Sequence, residues 1–138
     1  GFSLYNRHDF DFRPVAKILT HIVQTHRIKK GELVGYDYRF VAKEDMIVAT
    51  IPIGYADGFD MKYIGIDLYV KGKRIEVLNI CMDCSMLDIS NTGLKKGDEI
   101  YILDEINSLS RYSKYVSTSE YEIMTKFSHI RAVRELID

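Results

Sequence analysis

The stretch 46-MIVATIPIGYADGF-59 carries the reading on which the fold turns. Its opening, 46-MIVATIPI-53, is an apolar run too short for a typical helix and reads as a strand. Pro52 has no N–H for a ladder, so the strand ends there at an edge or a bend. Gly54 lets the backbone turn sharply or lets another backbone come close. Tyr55 follows it, and Asp57-Gly58 is a turn signal. A tyrosine presented this way can be aimed into a cleft. The same arrangement recurs upstream in Val34-Gly35-Tyr36. Taken on these residues alone, the favoured reading is that both rings pack as half-buried strand residues with wet hydroxyls.

Working outward, strands dominate. Residues 15-VAKILTHIVQTHRI-28 are β-branched and hold no single helical face, so they read as strand. Lys30-Gly31-Glu32 is a turn, and 38-YRFVA-42 is a short strand. Residues 68–70, a Lys71-Gly72 turn and residues 74–78 form a hairpin. Further strands are expected at 85-SMLDI-89 and 99-EIYIL-103. The pattern changes near Asn107. Residues 108-SLSRYSKYV-116 and 117-STSEYEIMTKF-127 suit two short helices. Ser117 with Glu120, and Ser119 with Glu122, both have the spacing of a capping box. Residues 1–13 have no period and read as a lead-in to a domain over 14–138. There is no internal repeat.

Composition narrows the classes. The chain has 138 residues, 46% of them apolar, enough for one core. Lys and Arg number 19 against 20 Asp and Glu, with no clustered basic surplus for nucleic acid. The densest basic run, 26-HRIKK-30, reads as a solvated turn. No apolar stretch reaches the ~20 residues of a membrane span, and no signal-peptide pattern is present. The chain opens on Gly1, which reads as an excised or processed piece. Two cysteines are too few for a disulfide scaffold and fit a reducing cytoplasm.

Those cysteines form the one familiar chemical motif, Cys81-Met82-Asp83-Cys84. A structural zinc site needs four ligands, and neither a second pair nor a matching histidine spacing exists. A thioredoxin-type pair needs a helix start, whereas these residues lie among strand-like ones. No metal or redox role is expected. Dinucleotide, phosphate-loop, zinc-protease and serine-hydrolase motifs are absent. Asp57 and Asp60 read as loop residues. The residues by themselves lead to a β-rich domain with two glycine-presented tyrosines.

Longer motifs resemble a family. Gly1-Phe2-Ser3-Leu4-Tyr5 is similar to the end of an alanine racemase barrel. Gly31-Glu32-Leu33-Val34-Gly35-Tyr36 with Phe40, Ile51-Pro52-Ile53-Gly54-Tyr55-Ala56-Asp57-Gly58-Phe59, Ile80-Cys81-Met82-Asp83, Gly97-Asp98-Glu99 and Tyr121-Glu122-Ile123 resemble later motifs of that family, in order. The run from Ile51 to Phe59 is the most specific. The resemblance implies a mainly β fold, the carboxy-terminal Greek-key or barrel-like domain of a pyridoxal-phosphate-dependent racemase, ending in two short helices. It implies a cytoplasmic homodimer that interconverts L- and D-alanine for peptidoglycan. The cofactor lysine would lie on a separate barrel domain, with the active site between one subunit's barrel and the other's β domain.

The resemblance also assigns residues. It places the catalytic tyrosine base at Tyr36 and a second site tyrosine at Tyr55. The backbone amide of Met82 would hold the substrate carboxylate, with Asp83 beside it. Tyr121, Gly1 and Phe2 would contact the cofactor phosphate. Without the barrel the fragment is expected to hold no cofactor and to be inactive. Three departures stand out. Asp37 replaces a usual glycine after the base, where a carboxylate would raise a phenol's pKa. Asn79 replaces an arginine on the substrate route. Cys84 replaces a glutamine or methionine, so the Cys-x-x-Cys spacing arises by chance. Serine or lysine as substrate stays open, as does a non-catalytic dimerisation or binding module.

Overall fold

The computed structural model describes residues 16–35 and 40–127. The apolar run at 46 forms β5 (Met46–Ile51), where Met46, Val48, Ala49 and Ile51 are buried. The other strands are β1 (Ile18–His21), β2 (Gln24–Ile28), β3 (Leu33–Val34), β4 (Phe40–Val41), β6 (Asp67–Val70), β7 (Lys73–Ile80), β8 (Ser85–Asp88) and β9 (Glu99–Leu103). Two helices follow, α1 (Leu109–Val116) and α2 (Glu120–Lys126). The main sheet is antiparallel in the order β2-β5-β8-β7-β6, and β1-β9 and β3-β4 form two-stranded sheets beside it. The fold is mainly β with two terminal helices, as expected. Among the described residues the five-stranded ladder ends at β2 and β6, and does not close into a barrel.

The expected single strand over 15–28 is two strands in different sheets. Ile22 N–H donates to Asp98 at 2.9 Å, toward the β9 side, while Val23 N–H donates to Thr50 at 2.9 Å, on β5. Adjacent residues thus satisfy their backbones on different sheets, and Ile22 is wholly buried at the corner. A run of β-branched residues signals extended backbone without revealing that it changes sheets.

A bulge in β7 divides the core. Val77 pairs with Leu87 and Asn79 with Met86, leaving Leu78 as the extra residue. One extra residue reverses the alternation of side chains. Ile75 and Val77 before it, and Ile80 after it, therefore all enter the main core. Leu78 joins Val34, Ala42, Met46 and Val48 in a smaller cluster. In the main core the Phe59, Tyr63 and Tyr112 rings pack together, the last two with centroids 4.7 Å apart. The Tyr112 hydroxyl donates to the Ile102 carbonyl at 2.6 Å, so its burial leaves no polar group unpaired.

The helices begin where hydroxyls free them to. Ser108 accepts from Arg111 N–H at the start of α1, and Ser119 from Glu122 N–H at the start of α2. The pairing of Ser119 with Glu122 is therefore a cap. Ser117 is not one: it ends α1 in the left-handed region, at φ 54°. Asn107, fully buried, ties this half to the sheets. Its amide donates to the carbonyls of Tyr69 and Tyr101 at 3.0 and 2.9 Å, and its oxygen accepts from Tyr69 N–H at 2.9 Å.

Candidate functional site

At one end of the main sheet the motif residues are drawn together by glycines. After Pro52 the chain leaves β5 and makes a single 3-10 turn over Tyr55–Asp57. This turn docks on the turn between β7 and β8. Tyr55 N–H donates to the Cys81 carbonyl at 3.0 Å, and Ala56 N–H to the Met82 carbonyl at 2.9 Å. Only glycine fits at 54, because a Cβ there would lie 2.3 Å from the Cys81 oxygen and 2.5 Å from the Met82 oxygen. Asp57 closes the turn by accepting from Gly54 N–H at 2.9 Å. The segment 53–57 and the turn 81–84 thus form one unit.

That unit exposes what the resemblance singled out. Tyr55 and Met82 are 46% and 59% exposed. The Cys81 carbonyl points at Tyr55 N–H, and in a trans peptide the following N–H points the opposite way. Met82 N–H therefore faces away from the Tyr55 turn, and makes no hydrogen bond among the described residues. Asp83 is exposed beside it.

Two more glycines bring in other motifs. A Cβ on Gly58, at φ +97°, would lie 2.2 Å from the Lys126 carbonyl, so the end of α2 packs directly on this loop. Tyr121 is half exposed near the start of the same helix. Tyr55, Gly58, Asp60, Met61 and Lys126 line an open hollow of about 350 Å³. Across its wall Lys126 Nζ lies 3.2 Å from Asp60 and 3.1 Å from Glu122. Burial alone would raise the Asp60 carboxyl, but the Lys62 N–H and the Lys126 ammonium outweigh it and hold it below its usual range. On the other side, a Cβ on Gly35 would lie 1.8 Å from the Asn79 amide nitrogen. The residue before Tyr36 is therefore held against β7. Asn79 is buried, with its side chain against Gly35.

Tyr36 and Asp37, like Gly1 and Phe2, lie outside the described residues. Tyr55, Met82 and Asp83 come together, and Tyr121 stands on the helix that completes the hollow. Sequence reasoning placed Asp57 in a turn but missed its bond to Gly54, and it missed Ser85 and the Asp60–Lys126 pair. The spacing of Gly54 and Asp57 held a signal, since Asp favours local bonds to backbone amides; Ser85 carried none. The cysteines stand at the two ends of the turn between β7 and β8, both partly buried. Burial, with Cys81 and Asp83 nearby, pushes the Cys84 thiol up to about 11, the opposite of an activated thiol.

The sequence pattern described as "Alanine racemase, C-terminal domain" matches residues 15–135. The chain belongs to this family. It is 36% identical to an alanine racemase of Limosilactobacillus fermentum over 91% of its own length and 37% of that protein's. An alanine racemase of Thermodesulfovibrio yellowstonii is 31% identical, over 99% of this chain and 39% of that one. The chain thus spans less than half the length of the curated relatives it matches. Among solved structures, alanine racemase from Acinetobacter baumannii superposes with a TM-score of 0.83, at 30% identity over 93% of this chain and 36% of that one. The alanine racemase of Bartonella henselae, solved with covalently bound pyridoxal phosphate, gives 0.81 at 27% identity, over 88% of this chain and 35% of that one.

Proposed function

We propose that this alanine racemase domain supplies one wall of the active site of a pyridoxal-phosphate-dependent enzyme that interconverts L- and D-alanine. The observation that carries the reading is the docking of Gly54 on the Cys81–Met82 peptide. It presents a Met82 N–H that makes no hydrogen bond among the described residues, beside the exposed Tyr55. A carboxylate is a natural partner for such an N–H, since hydrogen bonds to charged acceptors are the strong ones.

The described residues fit the cofactor as contacts and not as its anchor. Every described lysine is exposed, so none is enclosed where a Schiff base would be shielded from water. Tyr121, with a half-exposed phenol, would reach the cofactor phosphate together with Gly1 and Phe2. The cofactor, when bound, acts as an electron sink for the α-carbon of the amino acid. The lysine would come from a barrel domain of a partner subunit, in a cytoplasmic homodimer making D-alanine for peptidoglycan.

In this chain Tyr36 removes or returns the α-proton on one face. A phenol has a pKa of ~10, so its oxygen must be stabilised as the anion to work near neutrality. Asp37 opposes that stabilisation, and neighbouring cationic groups must outweigh it. Met82 N–H orients the carboxylate, and Tyr55 limits the space beside it.

The test compares the full-length protein with its Tyr36→Phe variant, starting from each alanine enantiomer. A loss in kcat/KM of about 100-fold or more is expected of removing a general base, equal from both enantiomers because the equilibrium constant of a racemisation is one. An enzyme active only on serine or lysine would keep the mechanism and overturn the substrate. A protein that binds the cofactor and racemises nothing would make the domain a dimerisation or binding module, the reading that Asp37 favours.

A further inference from the structure

β5 stops two residues before the loop it has to position. Pro52 offers no N–H, so backbone pairing with β8 ends at Ile51 and Ser85. The next buried carbonyl, that of Ile53, has to find a donor elsewhere or lose a hydrogen bond on folding. Ser85 provides it: its hydroxyl donates to the Ile53 oxygen at 2.6 Å. Ser85 is wholly buried and already pairs with Ile51 on one side and Ile80 on the other. It stands where β5, β7 and β8 meet.

From Ile53 onward every residue to Ala56 is tethered. Ile53 is held by Ser85, Gly54 by the Asp57 carboxylate, Tyr55 by the Cys81 carbonyl and Ala56 by the Met82 carbonyl. Ser85 is the one of these tethers that ties the loop to the body of the sheet through a side chain. The bond from Tyr55 holds the plane of the Cys81–Met82 peptide, which decides where Met82 N–H points, and the bond from Ala56 holds the next peptide, Met82–Asp83.

We propose that Ser85 is a positioning residue: without touching substrate, its hydroxyl sets the register of residues 53–56 and thereby aims both the Tyr55 ring and the Met82 N–H. This rests on the proposed function only for the identity of what binds there. The geometric part stands without it. Ser85→Ala removes the donor and leaves the Ile53 oxygen buried and unpaired. Ser85→Thr keeps the hydroxyl.

The experiment uses the full-length protein in wild-type, Ser85→Ala and Ser85→Thr forms. Residue-resolved hydrogen exchange under native conditions reads the amides of Tyr55 and Ala56, and steady-state kinetics reads KM and kcat for alanine. In Ser85→Ala those two amides should exchange about two- to tenfold faster, the scale of one lost hydrogen bond, with the β7 and β8 amides unchanged. KM should rise severalfold with kcat changed less, and Ser85→Thr should restore both readouts. Uniformly faster exchange across the sheet, or unchanged KM with local exchange increased, would show a structural role alone and overturn the proposal. If Ser85→Ala does not fold, Ser85→Cys, with a weak donor of similar size, replaces it under the same criteria. Local exchange changes in a protein with no racemase activity would overturn the proposed function and leave the loop-setting role in place.

Discussion

Gly54 shows how much one residue can decide. Its missing Cβ leaves room for the Cys81 and Met82 carbonyls, and backbone oxygens cannot rotate away as a flexible side-chain tip can. Gly54→Ala should therefore push the 81–82 turn outward. The expected cost is ~1–3 kcal/mol of stability, as for other overpacked sites. In the full-length enzyme KM should rise more than kcat falls, because carboxylate orientation is lost first. Thermal unfolding and steady-state kinetics check the two halves. Asn79 makes the complementary point. As a letter it looked like a lost positive charge on a substrate route. Buried against Gly35, it acts as a strut beneath the residue that precedes Tyr36.

Between elements, Asn107 is the join. One side chain serves β6 and β9 through the backbones of Tyr69 and Tyr101, and its oxygen also accepts from Arg111 on α1 at 3.1 Å. Truncation to alanine would leave two carbonyls and one N–H without these partners. At about 1 kcal/mol for each net bond, Asn107→Ala should destabilise by ~3 kcal/mol. Chemical denaturation should show the midpoint falling with little change in slope. The β7 bulge works at the same scale. By reversing side-chain alternation after Leu78 it turns Asn79 toward Gly35 while keeping Ile80 in the core.

Across the whole molecule, exposed Tyr55 and Met82 stand together where residues 53–57 dock on the β7–β8 turn, and the main apolar core gathers the strands and helices behind them. The described lysines are scattered over the surface, with none poised in a closed pocket. The 138-residue chain by itself should accordingly show no racemase rate above that of its own Tyr36→Phe variant, with pyridoxal phosphate supplied. A coupled assay for D-alanine checks this. A rate clearly above the variant's would mean that the chain carries its own cofactor anchor, against the proposed division of labour between domains.

The sequence by itself determined the class of fold, the positions of most strands and both helices. Those follow from local causes: β-branched runs, Pro and Gly breaks, and a hydroxyl at Ser119 able to cap. It also marked Gly54-Tyr55 through the glycine that presents the ring, and Met82 only through the resemblance of long motifs. What only the tertiary structure decided was how separate segments meet. The split of residues 15–28 between two sheets, the bulge at Leu78, the docking of Gly54 on Cys81 and Met82, and the bond from Ser85 to Ile53 all join distant positions. Each depends on which neighbour a buried backbone group finds, and a single sequence records the group but not the neighbour.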